Sequence, residues 1–422
     1  MKKYTLALAV LLCVNTMFAQ RMLTLEESKQ LALQHNYRIK NSILEMEAAG
    51  ETKKAAFTSF FPSLSAGGYA LNAQKNLMEL SVGGGALGLL KSGTLGMVSL
   101  VQPVYAGGRI WNGNKLASLS EDVSEYKSRL ARNEVLLKTE EQYWLVVVLK
   151  EKMKTIHAYE EFLDSLLRQV EDAYASGLVM KNDLLKVRLK RSEVLLNKSK
   201  LENGIKLATM AFCRHVNIPY DPTLVLVDSL STGDLPQTYY VDHKEALGER
   251  TEYKLLQSSV RAEELQTRLK RGEYLPQAGI GVGGIYMKID DGKDRTVGMV
   301  YGTVQIPISG WWAASHTLAE RKAQEQIARN GMKDQSELLL LQMEKAWQDF
   351  TDAYKQVLLS DDTQKQAEEN LKVNEDGYKN GMISVSDLLE AQAMLQQAKD
   401  QLNDAKANCQ TKKINYLQVT GR

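Results

Sequence analysis

Residues 171–185 read EDAYASGLVMKNDLL, and residues 375–389 read EDGYKNGMISVSDLL. The two stretches share Glu, Asp, Tyr, Gly, Asp and a Leu-Leu pair, and the second starts 204 positions after the first without a gap. A repeat of about half the chain is far longer than the roughly 20–50 residues of solenoids and propellers. The sequence therefore predicts two copies of one long structural unit, and any function must explain why the motif is needed twice.

The N-terminus is typical of a secretory signal peptide. In residues 1–19, Lys2 and Lys3 precede a short apolar run, and a polar break leads to Phe18-Ala19, so we expect cleavage before Gln20. The run is too short to span a bilayer, and the residues around Cys13 do not fit a lipoprotein cleavage site. The chain is predicted to be exported and not to be anchored by a helix.

The charge balance and the cysteines limit the possible partners and disulfides of the chain. Without Lys2 and Lys3 the 53 basic residues fall to 51, which equals the 51 acidic residues, so a nucleic-acid partner gains no support. Cys213 and Cys409 are not equivalent under the repeat. The sequence leaves open whether they pair, and two separate buried thiols are the favoured interpretation.

Long helices dominate the predicted structure. A helix from Thr24 to about Ser59 begins at a Thr24-x-x-Glu27 capping box. Apolar residues spaced alternately three and four apart predict a coiled-coil helix over about 112–174, roughly 95 Å long at about 1.5 Å per residue. The turn at Ser176-Gly177 returns the chain into a helix over about 182–213.

Short strands interrupt the helices in each copy. Residues 63–73 and 93–102 are predicted strands joined by a Gly-rich, apolar loop over 77–93. After a proline-rich linker, 217–241, the order repeats: helix 242–273, strands near 278–288 and 296–306, a helix over about 315–378, a turn at Asn380-Gly381 and a last helix to about Tyr416. Both copies are expected to pass between helix and strand at prolines, namely Pro62, Pro103, Pro276 and Pro307.

We accordingly divide the chain into a signal peptide (1–19), a first structural repeat (20–216), a linker between the two copies (217–241) and a second structural repeat (242–422). Each repeat would supply a helix, a β-hairpin and a long helical hairpin.

Each of the four predicted strands has about ten residues, which is the length that a tilted strand needs to cross a membrane. Four strands cannot close a barrel, and an open edge is not tolerated in lipid, so two, three or four chains would have to pool about 8, 12 or 16 strands. The sequence leaves that number open, and a soluble hairpin cap on a coiled-coil protein is the alternative. The candidates for a lipid-facing surface are Val98, Leu100, Ile280, Val282, Val300 and Val304.

Catalytic motifs are missing from the sequence. The histidines at 35, 157, 215, 243 and 316 have no metal-ligand spacing, and there is no P-loop, Gly-x-Ser-x-Gly or Cys-x-x-Cys motif. We predict that the chain is not an enzyme and needs no cofactor or metal. An exported protein rich in long helices could also be a periplasmic coiled-coil adaptor or tethering protein, which would be soluble without detergent.

Several stretches resemble, in order, the TolC-like outer-membrane efflux protein family. They cover essentially the whole chain after the signal peptide: LTLEESKQLALQHNYRIK, AAFTSFFPSLSAGGY, LVQPVYAGGR, YASGLVMKNDLL, EYLPQAGIGVGG, VQIPISGWW and the segment from DGYKNGMISVSDLL to the C-terminus. The resemblance implies an α+β membrane protein of long antiparallel helical hairpins with four transmembrane strands per chain. Three chains would form a homotrimer with a 12-stranded β-barrel in the outer membrane and a helical barrel across the periplasm.

The function implied by this resemblance is an exit duct of a tripartite efflux or type I secretion system of a Gram-negative cell. The implied partners are outer-membrane lipid, a periplasmic adaptor (membrane fusion) protein and an inner-membrane pump. The substrate and the resting open or closed state stay undetermined.

The resemblance also assigns roles to the repeated motif. Gly177 and Gly381 suit a positive φ after a helix, and the turns around them would contact the adaptor. Leu178 and Met382 would be exposed apolar anchors. The full set of proposed contact residues is Ser176, Gly177, Leu178, Asn380, Gly381 and Met382.

Acidic residues beside the turns would form a pore constriction. Asp387 and Glu390 share a helix face, and the family places such carboxylates at the periplasmic entrance, together with Asp183. Crowded carboxylates attract cations and favour block by multivalent cations. The alternative is that Asp387 closes a capping box with Ser384, and one residue could do both.

The two turns are not equivalent. The position of Glu390 is Lys186 in the first copy, so the second turn is the more acidic. The family further implies a latch in which Tyr378 hydrogen-bonds to Asp183, and the uncharged Ile383 beside it offers little reinforcement. Gating is therefore expected to depend on the difference between Lys186 and Glu390.

Overall fold

The computed structural model describes residues 22–74, 78–82, 85–89, 92–289 and 294–422. The predicted signal peptide lies outside these ranges, as do parts of the predicted loop 77–93. No helix within the described ranges is long and apolar enough to cross a membrane.

Eight α-helices are described, and each half of the chain contains one very long helix followed by a shorter one. The long helices have 67 and 69 residues, and each is followed by a helix of 35 residues. The helices are α1 (Leu25–His35), α2 (Tyr37–Phe57), α3 (Arg109–Ala175), α4 (Lys181–His215), α5 (His243–Leu247), α6 (Thr251–Glu273), α7 (Trp311–Lys379) and α8 (Val385–Val419).

The predicted helix over 24–59 begins as expected but is divided. Thr24 and Glu27 form the predicted capping box. Asn36 then interrupts the helix with an extended backbone (φ −64°, ψ 133°). Its side-chain Oδ1 accepts from the Arg38 N–H at 2.8 Å, and its Nδ2 donates to the His215 carbonyl at 2.8 Å. Asn36 thus caps α2 while tying this break to the end of α4.

The predicted helix over 242–273 is also divided, between Leu247 and Thr251. Arg250, only 3% exposed, lies in the interruption and forms an ion pair with Glu252 at 2.8 Å. The Arg250 side chain also donates to the Leu339 carbonyl. A buried guanidinium needs such partners, and the break in the helix brings it to them.

Four strands form one antiparallel sheet, in the order Ser63–Asn72, Ser92–Ala106, Gln277–Ile289, Arg295–Gln305. The strands are β1 (Met22–Leu23), β2 (Ser63–Asn72), β3 (Met78–Val82), β4 (Gly85–Leu89), β5 (Ser92–Ala106), β6 (Val225–Leu226), β7 (Gln277–Ile289) and β8 (Arg295–Gln305). The four predicted strands are confirmed as β2, β5, β7 and β8. Within the predicted loop, β3 and β4 form a further antiparallel pair, and β1 pairs with β6 in parallel.

Three of the four prolines mark the ends of strands, and one does not. Pro62 and Pro276 immediately precede β2 and β7, and Pro307 follows β8. The prediction that Pro103 ends its strand is wrong, because β5 continues to Ala106. The pairing with β7 shifts register between Pro103 and Tyr105, and such a bulge accommodates a residue that has no N–H to donate.

The register of the sheet separates two unlike faces. Directly paired residues share a face, as in the row Ala66, Val98, Gly284 and the row Leu64, Leu100, Val282, Val300. All six predicted lipid-face residues lie on this one face, which we call the aliphatic face: Val98, Leu100, Ile280, Val282, Val300 and Val304. The opposite face carries Ser65, Ser99, Gly283 and Met299 in one row.

On that opposite face, an aromatic ring covers a glycine. Gly281 pairs with Tyr301, and a Cβ built at Gly281 would overlap the Tyr301 ring. Gly281 is accordingly buried although the strand lies in an exposed sheet. The close approach of ring to backbone requires glycine at this position.

The chain divides into two compact units. Unit 1 comprises residues up to 43, 127–253 and 336–422, and unit 2 comprises 44–126 and 254–335 and contains the four-stranded sheet. Unit 1 contains three clusters of buried apolar side chains. Cys213 and Cys409 are buried in two different clusters, which agrees with two separate buried thiols.

The covered glycine gives a test of the sheet. We expect Gly281→Ala to force the Tyr301 ring away and to destabilise the sheet by about 1–3 kcal/mol, the usual cost of overpacking. Gly284→Ala is the matched control, because a Cβ at Gly284 meets nothing within 4 Å. The measurement is the temperature at which the β-sheet circular dichroism signal is lost, and equal losses in both variants would contradict the role of the Tyr301 ring.

Candidate functional site

The first copy of the repeated motif turns the chain between α3 and α4. Gly177 has φ +74°, its N–H donates to the Tyr174 carbonyl at 3.0 Å, and the Leu178 N–H donates to the Ala173 carbonyl at 2.8 Å. This pair of bonds is the Schellman motif, which satisfies helix carbonyls that have no partner within the helix. The predicted positive φ of Gly177 is confirmed.

The second copy builds the same turn between α7 and α8. Gly381 has φ +70°, its N–H donates to the Tyr378 carbonyl at 3.0 Å, and the Met382 N–H donates to the Gly377 carbonyl at 2.8 Å. A Cβ at either Gly177 or Gly381 would meet nothing within 4 Å. Backbone conformation, and not lack of space, therefore requires glycine at both turns.

Apolar side chains project from both turns into solvent. Leu178 is 79% exposed and Met382 is 73% exposed. Met180, which precedes α4, is 75% exposed as well. Residues at the position of Leu178 and Met382 commonly pack back on their own helix, so their exposure leaves an apolar surface at each turn. No periodic pattern in the sequence marks Met180, which lies just before Lys181.

The two returning helices begin differently. Ser384 and Asp387 form a complete capping box: the Ser384 N–H donates to the Asp387 carboxylate at 3.1 Å, and the Asp387 N–H donates to the Ser384 hydroxyl at 3.3 Å. In the first copy the corresponding cap is Met180, whose side chain makes no capping hydrogen bond. Asp387 therefore caps its own helix, which is the alternative role considered for it. Its other carboxylate oxygen is left for a second role.

A lysine connects the two copies. Lys186 Nζ lies 3.7 Å from the Asp183 carboxylate and donates to the Ser386 hydroxyl at 2.7 Å. The hydrogen bonds from Ser384, and secondly the charge of Lys186, hold the pKa of Asp387 below its usual range. Lys186 thus neutralises part of the acidic surface formed by Asp183 and Asp387. Sequence comparison of the copies identified Lys186 as a difference but could not show that it reaches Ser386.

Glu390 lies one helical turn beyond Asp387 and is exposed. Asp387 is exposed too, whereas the Asp183 side chain is 27% exposed. The three carboxylates predicted at the constriction thus comprise two on α8, of which Asp387 caps its own helix, and one on α4 beside Lys186. Their role in a pore stays a prediction, because the structure contains one chain.

Tyr378 packs against the apolar core below the turns. Partial burial, and secondly the negative charge of Asp183, raise the pKa of Tyr378. Asp183 is therefore close enough to act on the Tyr378 hydroxyl, but no hydrogen bond between these two described side chains is formed. The latch stays a prediction.

A single hydrophobic cluster supports both turns. It contains Leu184 and Val187 from α4 with Val385, Leu388 and Leu389 from α8, and α3 contributes the fully buried Leu163 and Val170. The two leucines of the Leu-Leu pair are buried to different extents in the two copies of the motif. Leu388 and Leu389 are both buried in α8, whereas in α4 Leu184 is buried and Leu185 is 51% exposed. The repeated turns are thus packed on a shared core that is not symmetric.

A family model matches the second part of the chain. Residues 244–422 match the family model described as outer membrane efflux protein. A comparison with curated proteins found no match.

Solved structures share the fold over nearly the whole chain. The outer membrane protein VceC from Vibrio cholerae is 15% identical, with a TM-score of 0.78 over 94% of this chain and 96% of that one. The Campylobacter jejuni CmeC outer membrane channel is 15% identical, with a TM-score of 0.77 over 94% and 85%. The open state of the Neisseria gonorrhoeae MtrE outer membrane channel is 14% identical, with a TM-score of 0.75 over 94% and 88%. At these identities the similarity establishes the fold.

The two glycine turns can be tested by substitution. We expect Gly177→Ala and Gly381→Ala each to destabilise the chain by about 1–2 kcal/mol, because a side chain at positive φ is strained. Gly204→Ala within α4 and Gly331→Ala within α7 are matched controls, since both glycines have open space but ordinary helical backbone. These controls should stabilise by about 0.5–1 kcal/mol. Thermal unfolding followed by helix circular dichroism measures the difference, and a shift of the same sign at all four positions would contradict the assignment.

Proposed function

From the match of residues 244–422 to the outer membrane efflux protein family, and from a fold shared with outer-membrane channels along nearly the whole chain, we propose that this protein is the outer-membrane exit duct of a tripartite efflux system. The observation that carries the proposal is the fold similarity over 94% of the chain. Substrates would pass from an inner-membrane pump and a periplasmic adaptor through the duct to the exterior. The predicted resemblance to TolC-like proteins is confirmed, and the proposed location of the protein is the outer membrane.

The four-stranded sheet supports a barrel shared among chains. Its aliphatic face suits lipid, with Val300 75% and Val304 72% exposed. Within the sheet, β2 and β8 each have a strand neighbour on one side only. An unpaired edge in lipid leaves backbone N–H and C=O groups without partners at several kcal/mol each. Pairing β8 of one chain with β2 of the next satisfies both edges, and a homotrimer gives the proposed 12-stranded barrel.

Aromatic residues gather where the strands of this sheet meet the helices. Three of the five tryptophans and three of the seven phenylalanines lie within seven residues of a strand end: Trp111, Trp311, Trp312, Phe57, Phe60 and Phe61. Tryptophan and other aromatic rings concentrate at membrane interfaces, where one side of the ring is apolar and the other is wet. We take this aromatic belt as the periplasmic boundary of the bilayer.

The repeated turns are proposed as the periplasmic entrance. Leu178 and Met382 are the apolar anchors for the adaptor, with Ser176, Gly177, Asn380 and Gly381 completing the contact. Asp387 and Glu390 from three chains, with Asp183, form the constriction. The strands β2, β5, β7 and β8 carry charged residues only near their ends, at Lys288 and Arg295. Ion selectivity would therefore depend on the entrance and not on the wall of the barrel.

Assembly distinguishes the duct from a soluble periplasmic adaptor or tether. We expect the chain to fractionate with the outer membrane, to require detergent for extraction, to migrate differently on gels after heating and to have the native mass of a trimer. Closure of a barrel through backbone hydrogen bonds is the reason for heat-dependent migration. A monomer recovered without detergent would contradict the duct and favour the adaptor.

The proposed constriction predicts how multivalent cations block the channel. Asp387→Ala with Glu390→Ala is expected to abolish block by multivalent cations in single-channel recordings, since the carboxylates that bind them are removed. Lys186→Gln should act in the opposite direction and make block several-fold stronger, because it removes the positive charge beside Asp183 and Asp387. Block that is unchanged in both variants would contradict the constriction. Wild-type conductance in lipid bilayers is the common reference.

A further inference from the structure

Unit 2 contains an open pocket of about 610 Å³ between α2 and the start of α3. Aromatic rings form its apolar wall: Phe57 and Phe61 have ring centroids 5.5 Å apart, and Phe60 and Trp111 have centroids 6.5 Å apart. Phe57, Phe61 and Trp111 remain 55%, 54% and 60% exposed. Rings of this size are usually buried, so half of their surface is left for an occupant.

Lysines surround the apolar wall. Lys53, Lys54 and Lys115 line the pocket, and Glu121 is the acidic residue among its lining side chains. Lys53 forms an ion pair with Glu121 at 2.6 Å, and Lys54 forms one with Glu51 at 2.8 Å. Lys115 lies 5.2 Å from the centroid of the Trp111 ring. The pocket therefore combines an apolar floor with three lysines at its rim, of which Lys53 and Lys54 are ion-paired and Lys115 lies over the Trp111 ring.

The position of the pocket in the chain indicates what reaches it. Its residues end two positions before β2 begins and start again five positions after β5 ends, within the aromatic belt. A long lysine side chain at such a depth can extend its ammonium group to the phosphates of the membrane surface while its methylene groups stay on apolar neighbours. An occupant with an anionic head and an apolar tail matches this arrangement.

We propose that the pocket binds an anionic phospholipid of the periplasmic leaflet, with the phosphate near Lys54 and Lys115 and the upper acyl chain on Phe57, Phe61 and Trp111. The inference rests on the proposed function, because it needs unit 2 to lie at the outer membrane. The position of the pocket beside the strand ends, within the aromatic belt, favours lipid over a second copy of this chain as the occupant. A phospholipid bound there would fix the height of the helix-to-strand junction in the bilayer.

Native mass spectrometry of the detergent-extracted full-length protein tests the proposal. Phosphatidylglycerol and phosphatidylcholine with identical acyl chains are added separately, and the lipid retained per assembled protein is counted. We expect phosphatidylglycerol to be retained at least about tenfold more strongly, as two nearby lysines imply. Lys54→Gln with Lys115→Gln should abolish the preference while leaving the Lys53–Glu121 pair intact.

Two further variants separate the contributions. Phe61→Ser should weaken both lipids alike, because it removes apolar contact without changing charge. Lys333→Gln, an exposed lysine of α7 outside the pocket, is the matched control and should change nothing. Equal retention of both lipids by the wild-type protein, or loss of the preference in the control, would overturn the proposal.

Burial of the pocket against a second copy of the chain is the alternative outcome, and thiol labelling measures it. Ser118→Cys places a thiol in the pocket lining, and its maleimide labelling is compared between assembled protein and dissociated chains in lipid-free detergent. Labelling in the assembled state supports an open lipid site, whereas full protection overturns it. If the chain is instead a soluble monomer, the proposed function fails before either lipid is added, so the two failures are distinguishable.

Discussion

The free edges of the four-stranded sheet are the constraint on which the rest of this structure depends. A row of unpaired backbone groups is tolerated in water but not in lipid. The sheet has one edge at β2 and the other at β8, and neither edge has a further strand partner among the residues that the structure describes. If the sheet lies in a membrane, the protein must be an oligomer, and the duplication of the chain halves the number of copies required. The helical hairpins then follow in the same number, because each β-hairpin is continuous with helices on both sides.

Duplication fixes the architecture, but the two copies have diverged where they meet. Both turns use the same Schellman geometry at Gly177 and Gly381. The helix starts beyond them differ, since Ser384 and Asp387 form a capping box and Met180 does not. Lys186 extends from the first copy to Ser386 in the second. An entrance built from three such pairs would alternate two kinds of turn.

The junction between the sheet and the helices has a different role from that of the turns. Its aromatic residues are neither core nor fully exposed, which is the condition expected at a boundary between apolar and polar surroundings. Asn114 Nδ2 donates to the Ala56 carbonyl at 3.0 Å and so holds α2 against α3 at this level. The pocket proposed as a lipid site is thus framed by a fixed pair of helices. Entrance and boundary are determined by separate sets of residues, in units 1 and 2.

The sequence by itself determined the features that depend on local backbone chemistry. Glycine at positive φ, the Ser-x-x-Asp and Thr-x-x-Glu caps, the four strands and the long helices depend on residues close in sequence, and each was found where predicted. The alternation even identified Val98, Leu100, Ile280, Val282, Val300 and Val304, which the strand register places on one face. The tertiary structure decided what depends on distant partners. Asn36 breaks a periodic helix because His215 lies beside it, and β5 continues through Pro103 because a bulge against β7 absorbs the missing donor. The Tyr301 ring over Gly281 and the Lys186 bond to Ser386 likewise join residues whose proximity no local pattern encodes.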